Sequence, residues 1–210
     1  MILTTVNGSV CDEYVEKIYG ILKGMHYCRY AEPKVVIRDY GTTYSLLSKS
    51  CITGCGKLTF NANAVDHREY SKIRMGGKLC IMGDVSLFTR ANIHVFENAI
   101  LSIGDGTYIN EGANVAVKHR ISIGEHCAIS NDVSIMDSDF HTIIDKEEKE
   151  SGVSIGNHVW IGEGAIILKN VSIGDNCIIG AKTVVTKNVP SGCVAVGNPM
   201  KIIKTDVNWK

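Results

Sequence analysis

Cut in sixes, residues 155–190 read IGNHVW IGEGAI ILKNVS IGDNCI IGAKTV VTKNVP. Every block opens with Ile or Val, glycine usually follows, and the fifth residue is usually small. One aliphatic residue in six fits neither the 3.6-residue period of an amphipathic helix nor the strict alternation of a half-buried strand. It fits a coil of short strands and tight bends. Each turn then buries its aliphatic residue against the same residue of the turns above and below. Ile155 to Ile173 is 18 residues, so three sixes make one triangular turn. Glycine at the second position is expected to let the backbone bend where a side chain would collide. The spacing leaves the hand of the coil open.

The same period runs upstream as IGDGTY INEGAN VAVKHR from Ile103 and IGEHCA ISNDVS IMDSDF from Ile123. Its fifth positions hold Thr107, Ala113, Cys127 and Val133, matching Ala165, Cys177 and Thr183 below. The repeat is weaker over residues 79–102, although Val85 to Ile103 is again 18.

Between Ile123 and Ile155 the rhythm fails: the interval is 32, which is 14 more than one turn. Counting 18 from Ile123 lands on His141, inside DSDFHTIID at 137–145. The excess, HTIIDKEEKESGVS at 141–154, is polar and charged after its first residues, so it must leave the coil as a surface loop. A rigid scaffold fixes the base of such a loop, which suits a site. His141 has the chemistry of a general base, since one ring nitrogen can be oriented while the other takes a proton. Asp137, Asp139 and Asp145 stand near enough in sequence to raise its basicity and hold its tautomer, and the spacing leaves open whether Asp137, Asp139 or a backbone carbonyl orients the ring. Ile103 to Ile123 is 20, two residues over.

The 210 residues carry 22 Lys plus Arg against 22 Asp plus Glu, which excludes a strong field for nucleic acid or anionic lipid. Neither a bilayer-length apolar run nor a basic leader is evident, so a soluble, cytoplasmic protein without membrane insertion is expected. Of the 8 cysteines, Cys51 and Cys55 form a lone pair in CITGC, with nothing near to complete a zinc site. Cys127 and Cys177 fill fifth positions of the repeat, so the thiols read as small buried hydrophobes and no metal is expected. In residues 9–23, Val10, Tyr14, Ile18, Ile21 and Leu22 share one face of an amphipathic helix. The expected organisation is a helical capping segment at 1–34, a coil at 35–204 and a tail at 205–210.

The hexads, the DFH before an exposed loop, the 156–190 run and the ending VAVGNPMKII together resemble the hexapeptide-repeat acyltransferases. The likeness is nearest to bacterial cell-surface polysaccharide O-acetyltransferases. It is strong over 80–204, weaker over 35–80 and absent from the N-terminal helix. It implies an all-β fold, a left-handed parallel β-helix, a homotrimer, and acetyl-CoA held between neighbouring coils. In that resemblance His141 matches the catalytic histidine, and Trp160 the tryptophan that lines the site beside it. Trp160 also stands at the sixth, outward position of its hexad, where an indole has no core to fill. Gly162 and Glu163 match where the pantetheine arm passes. Ala181, Thr186 and Lys187 match coenzyme A contacts, and Lys201 and Lys204 the basic tail that meets its phosphates. Asn110 and Asp139 are the candidates for acceptor contacts.

The reaction so implied is direct O-acetylation of a sugar or polysaccharide hydroxyl, with His141 as base and an oxyanion held by a backbone N–H near Gly162. A second reading is N-acetylation of an amino sugar, often nucleotide-linked. Residues 1–80 show no glycine fingerprint for the nucleotide domain that commonly precedes such enzymes. A β-helix zinc hydratase needs two histidines five apart, and the 7 histidines include no such pair. A non-catalytic scaffold would bind no coenzyme A.

Overall fold

The computed structural model describes residues 34–37, 43–46, 51–60, 71–141, 144 and 152–210. The N-terminal helix expected at 9–23 and the carboxylate of Asp145 lie outside them. Short strands visit three sheets in rotation and pair in parallel with the strand one turn away. One turn consists of Tyr108–Ile109, Asn114–Val117 and Arg120–Ile123. The next consists of Ala128–Ile129, Ser134–Met136 and Gly152–Ile155, and the one after of Trp160–Ile161, Ile166–Ile167 and Val171–Ile173. These strands define a first, second and third face of a prism. No helix among the described residues is long and apolar enough to cross a membrane.

Register follows the hexads. Ile103 pairs with Ile123, Ile123 with Ile155 and Ile155 with Ile173. The opening residues of the blocks are all buried, as are the fifth-position residues Thr107, Ala113, Cys127, Val133, Ala165, Cys177 and Thr183. Thr107 satisfies its hydroxyl inside the wall, donating to the Gly124 carbonyl at 2.7 Å and accepting from the Cys127 amide at 3.0 Å. Burial pushes the Cys127 and Cys177 thiols up from their ordinary values, as expected of small core residues.

The bend does not fall at the second-position glycines. Left-handed backbone occurs two residues later, at the fourth position of nine of the twelve blocks. Gly106, Gly112, His126, Asp132, His158, Gly164, Asn170, Asn176 and Lys182 have φ between +53° and +69°. Second-position glycines answer a different demand, the 4.8 Å or so between stacked strands. A Cβ on Gly124 would lie 2.4 Å from the Gly156 carbonyl oxygen, and one on Gly162 would lie 2.7 Å from the Ala181 nitrogen. The third position caps the coil where the third face meets the first. There Asp105 accepts the Asp84 amide at 2.6 Å, Asn157 that of Glu125 at 2.9 Å, and Asp175 that of Asn157 at 2.6 Å.

The excursion leaves earlier than the count placed it. Residues 152–154, expected in the loop, are strand, with Val153 buried and paired to Ile121. The aliphatic slot assigned to His141 belongs to Ile155, and His141 is exposed. Met136 and Gly152 take the places of Leu168 and Asn170 one turn below, so the surplus lies between them. The count was correct in size but could not locate the break, because a slot skipped by the chain and a slot filled by a polar residue give the same interval.

Gly124→Ala should cost about 3 kcal/mol, since neither backbone can give way. Gly192→Ala has a clearance of 3.7 Å at φ +67 and should cost about 1 kcal/mol, the strain of the left-handed region alone. Thermal denaturation of the pair distinguishes close approach from backbone freedom.

Candidate active site

Three edges join the faces, and the expected residues separate onto them. The first edge, between first and second faces, carries Asn110, Gly162, Glu163 and Ala181. Asn110 lies two turns above Gly162, about 10 Å along the axis. The Gly162 N–H is already spent on the Ile179 carbonyl at 2.7 Å, and that of Gly164 on Asn131 at 2.9 Å. Glu163 is exposed and pairs with Lys182 at 3.8 Å. Its amide has no acceptor among the described residues. At the equivalent third positions of the other edge an Asp or Asn one turn down supplies that acceptor, whereas here the residue below is Ala181.

Trp160 stands outward on the first face, 43% exposed. Its Nε1 donates to the Ser130 hydroxyl at 3.3 Å, one turn above. The paired outward position on that turn is Ala128, which is buried. The small residue leaves room for the indole to lean across it.

The second edge, between second and third faces, carries His141. Its approach is held from several sides. Asp137 is fully buried, and its carboxylate accepts the backbone N–H groups of Lys118, His119 and Arg120 at 2.7, 2.8 and 2.6 Å. Lys118 and His119 lie between the second and third strands of the turn with two residues too many, and Arg120 opens the third, so the carboxylate caps the start of Arg120–Ile123. Ser138 Oγ accepts the Phe140 amide at 3.0 Å, and Phe140 sits in the left-handed region at φ +58. The Phe140 ring packs on Phe96 with centroids 5.2 Å apart, and Phe96 stacks on His94 at 3.8 Å. Burial, with Arg74 second, lowers the His94 imidazole pKa. Asp139 forms an ion pair with Lys169 on the turn below.

This corrects the expectation for the aspartates. Asp137 and Asp139 hold the backbone that bears His141, and no hydrogen-bond partner of its imidazole is among the described residues. A cavity of about 810 Å³ opens on the same edge, bordered by Phe96, Glu97, Lys118, His119 and Arg120. Thr186 and Lys187 share this edge, in register with Met136 and Asp137 two turns above. Lys201 and Lys204 are exposed on Lys201–Lys204, an antiparallel strand on Val194–Val196.

Within one chain, then, the second face separates His141 from Trp160, Gly162 and Ala181, a width of about 13 Å for four extended residues. Sequence reading missed Trp209 altogether. It stacks on His158 with centroids 4.2 Å apart and lies 6.0 Å from Trp160. Its only sequence signal is that it is one of 2 tryptophans.

Residues 152–187 match the model of the bacterial transferase hexapeptide, six repeats. The chain thus carries that repeat, and its coil is the left-handed parallel β-helix. It is 43% identical over 113 residues to a polysialic acid O-acetyltransferase of Escherichia coli O1:K1, covering 51% of this chain and 37% of that protein. It is 48% identical over 108 residues to nodulation protein L of Rhizobium leguminosarum bv. viciae, covering 49% of this chain and 56% of that one. The chain thus spans about half, or less, of the length of these two relatives. The crystal structure of the polysialic-acid-specific acetyltransferase NeuO superposes with a TM-score of 0.54 at 28% identity, over 84% of this chain and 89% of that one.

Asp137→Ala leaves three amides facing a cavity and should cost about 3 kcal/mol in urea denaturation. Asp137→Asn, which retains one acceptor oxygen, should cost less. With a thiol reagent under native conditions, exposed Cys55 should react before Cys127 and Cys177, which should react only on unfolding because burial keeps their thiols protonated.

Proposed function

We propose that the protein transfers an acetyl group from acetyl-CoA to a hydroxyl of a sugar or cell-surface polysaccharide. It does so in the cytoplasm as a homotrimer, with each site between two subunits. The observation that carries this reading is the division of the candidate residues between two edges of one rigid coil. His141 rides on the second edge, whereas Trp160, Gly162, Glu163 and Ala181 lie on or beside the first. A neighbouring copy that sets its second edge against this first edge completes the constellation. The O-acetyltransferase relatives support the acceptor class.

In the reaction, His141 takes the proton of the acceptor hydroxyl as its oxygen attacks the thioester carbonyl carbon. The C–O bond forms, the C–S bond breaks, and the imidazolium returns its proton to the departing thiolate of coenzyme A. The amide of Glu163 is the donor for the developing oxyanion, because the Gly162 N–H is committed to the coil. Thr186, Lys187, Lys201 and Lys204 contact the nucleotide end of the cofactor, and Asn110 and Asp139 face the acceptor. Acetyl-CoA is a co-substrate, and no metal takes part in this scheme. Holding both substrates in one cleft supplies much of the rate, and the general base roughly 10²–10⁴-fold.

Two probes suit the acceptor class, an acidic sialic acid tetramer and a neutral N-acetylglucosamine tetramer. With the better of them, His141→Ala should lower kcat by roughly 10²–10⁴-fold. Full transfer by that variant sinks the assignment. Mixed oligomers assembled from inactive His141→Ala and inactive Trp160→Ala subunits should recover part of the activity. No recovery places both residues in one chain's site and removes the shared-site reading.

A further inference from the structure

The tail beyond Lys204 climbs the edge between third and first faces. The Val207 amide donates to the Gly192 carbonyl at 3.0 Å, and the Trp209 Nε1 donates to the His158 carbonyl at 2.9 Å. Gly192 and His158 are fourth-position corner residues two turns apart, with Asn176 between them. The tail thus follows the column of corners until its indole reaches the level of Trp160. His158 is ready for it. Its Nδ1 lies 3.0 Å from the Asn176 side-chain oxygen, which fixes the imidazole plane, and the Trp209 ring lies on that plane at an interplanar angle of 8°.

One indole face is therefore used for packing, and the ring as a whole is half-buried. It meets Trp160 at 49°. Two rings 6.0 Å apart at that angle leave no room for a ring between them, so a ligand ring must lie across the pair. The Ser130 hydroxyl, bonded to Trp160 Nε1, lies beside them.

We propose that Trp209 is part of the acceptor site: the tail delivers a second indole beside Trp160, and the joint surface stacks against a pyranose ring. A sugar presents an apolar face of axial hydrogens with hydroxyls around its rim. That pattern matches two aromatic planes with a hydroxyl beside them. Orienting a six-residue tail costs conformational entropy. The tail is not needed to cover the edge of the first face, which Lys201–Lys204 already closes. The assignment of the ligand as the acceptor rests on the acetyltransferase reading, but the binding claim does not.

The test uses the full chain and its own fluorescence, because Trp160 and Trp209 are its only tryptophans. Titration with the better of the two tetramers should change the indole emission saturably in the absence of acetyl-CoA. Trp209→Ala, and a chain ending at Thr205, should weaken that binding about tenfold and raise the acceptor KM similarly. The KM for acetyl-CoA and the elution volume of the oligomer should stay unchanged. Trp209→Phe should restore most of the affinity. The proposal is overturned if neither tetramer perturbs the wild-type emission, or if Trp209→Ala binds it as the wild type does. It is equally overturned if Trp209→Ala instead loses coenzyme A affinity, or dissociates the oligomer. Binding without any acetyl transfer would remove the acetyltransferase reading and leave this one standing.

Discussion

The distance between stacked strands governs this molecule. At roughly 4.8 Å per turn, each backbone lies against its equivalent one turn away, with no space for a Cβ where the chain enters a corner. Second-position glycines follow from that, as do small fifth-position residues and an aliphatic core one residue wide. The same constraint creates the site. Because equivalent positions superpose, one change in one block becomes a feature on an edge: Ala181 stands where another edge has an Asp or Asn, and the Glu163 amide above it is left without an acceptor among the described residues. Ala128 stands where a larger residue would displace the Trp160 indole.

A rigid coil also makes irregularities informative. The turn with two extra residues presents three successive backbone amides at its second corner, and Asp137 of the next turn supplies the acceptors. That carboxylate sits four residues before His141. Together with Phe140 on Phe96 and Asp139 on Lys169, it ties the departing chain to the turns above and below. The excursion's first residues thus inherit the rigidity of the scaffold, which a general base needs if it is to meet a hydroxyl at hydrogen-bond distance.

The candidate site was partly legible. His141 emerged from counting residues, although the count placed it in a core slot that Ile155 fills. Trp160 was legible because an outward position has no core to occupy. Which group orients the histidine was not legible, since proximity in sequence admitted several aspartates, whereas the corner directs Asp137 inward to the previous turn. Trp209 left no periodic trace, because the tail belongs to no hexad.

The sequence by itself determined the repeat, its triangular turn, the identity of the buried column and the size of the interruption. These are properties of spacing, and spacing survives in one dimension. Only the tertiary structure decided that the bend lies at the fourth position, which edge each candidate occupies, and which amides are already spent. It also decided that two tryptophans 49 positions apart in the chain meet on one face. Those depend on what lies one turn away, 18 or more residues distant, and on a tail whose path is set by contacts instead of period.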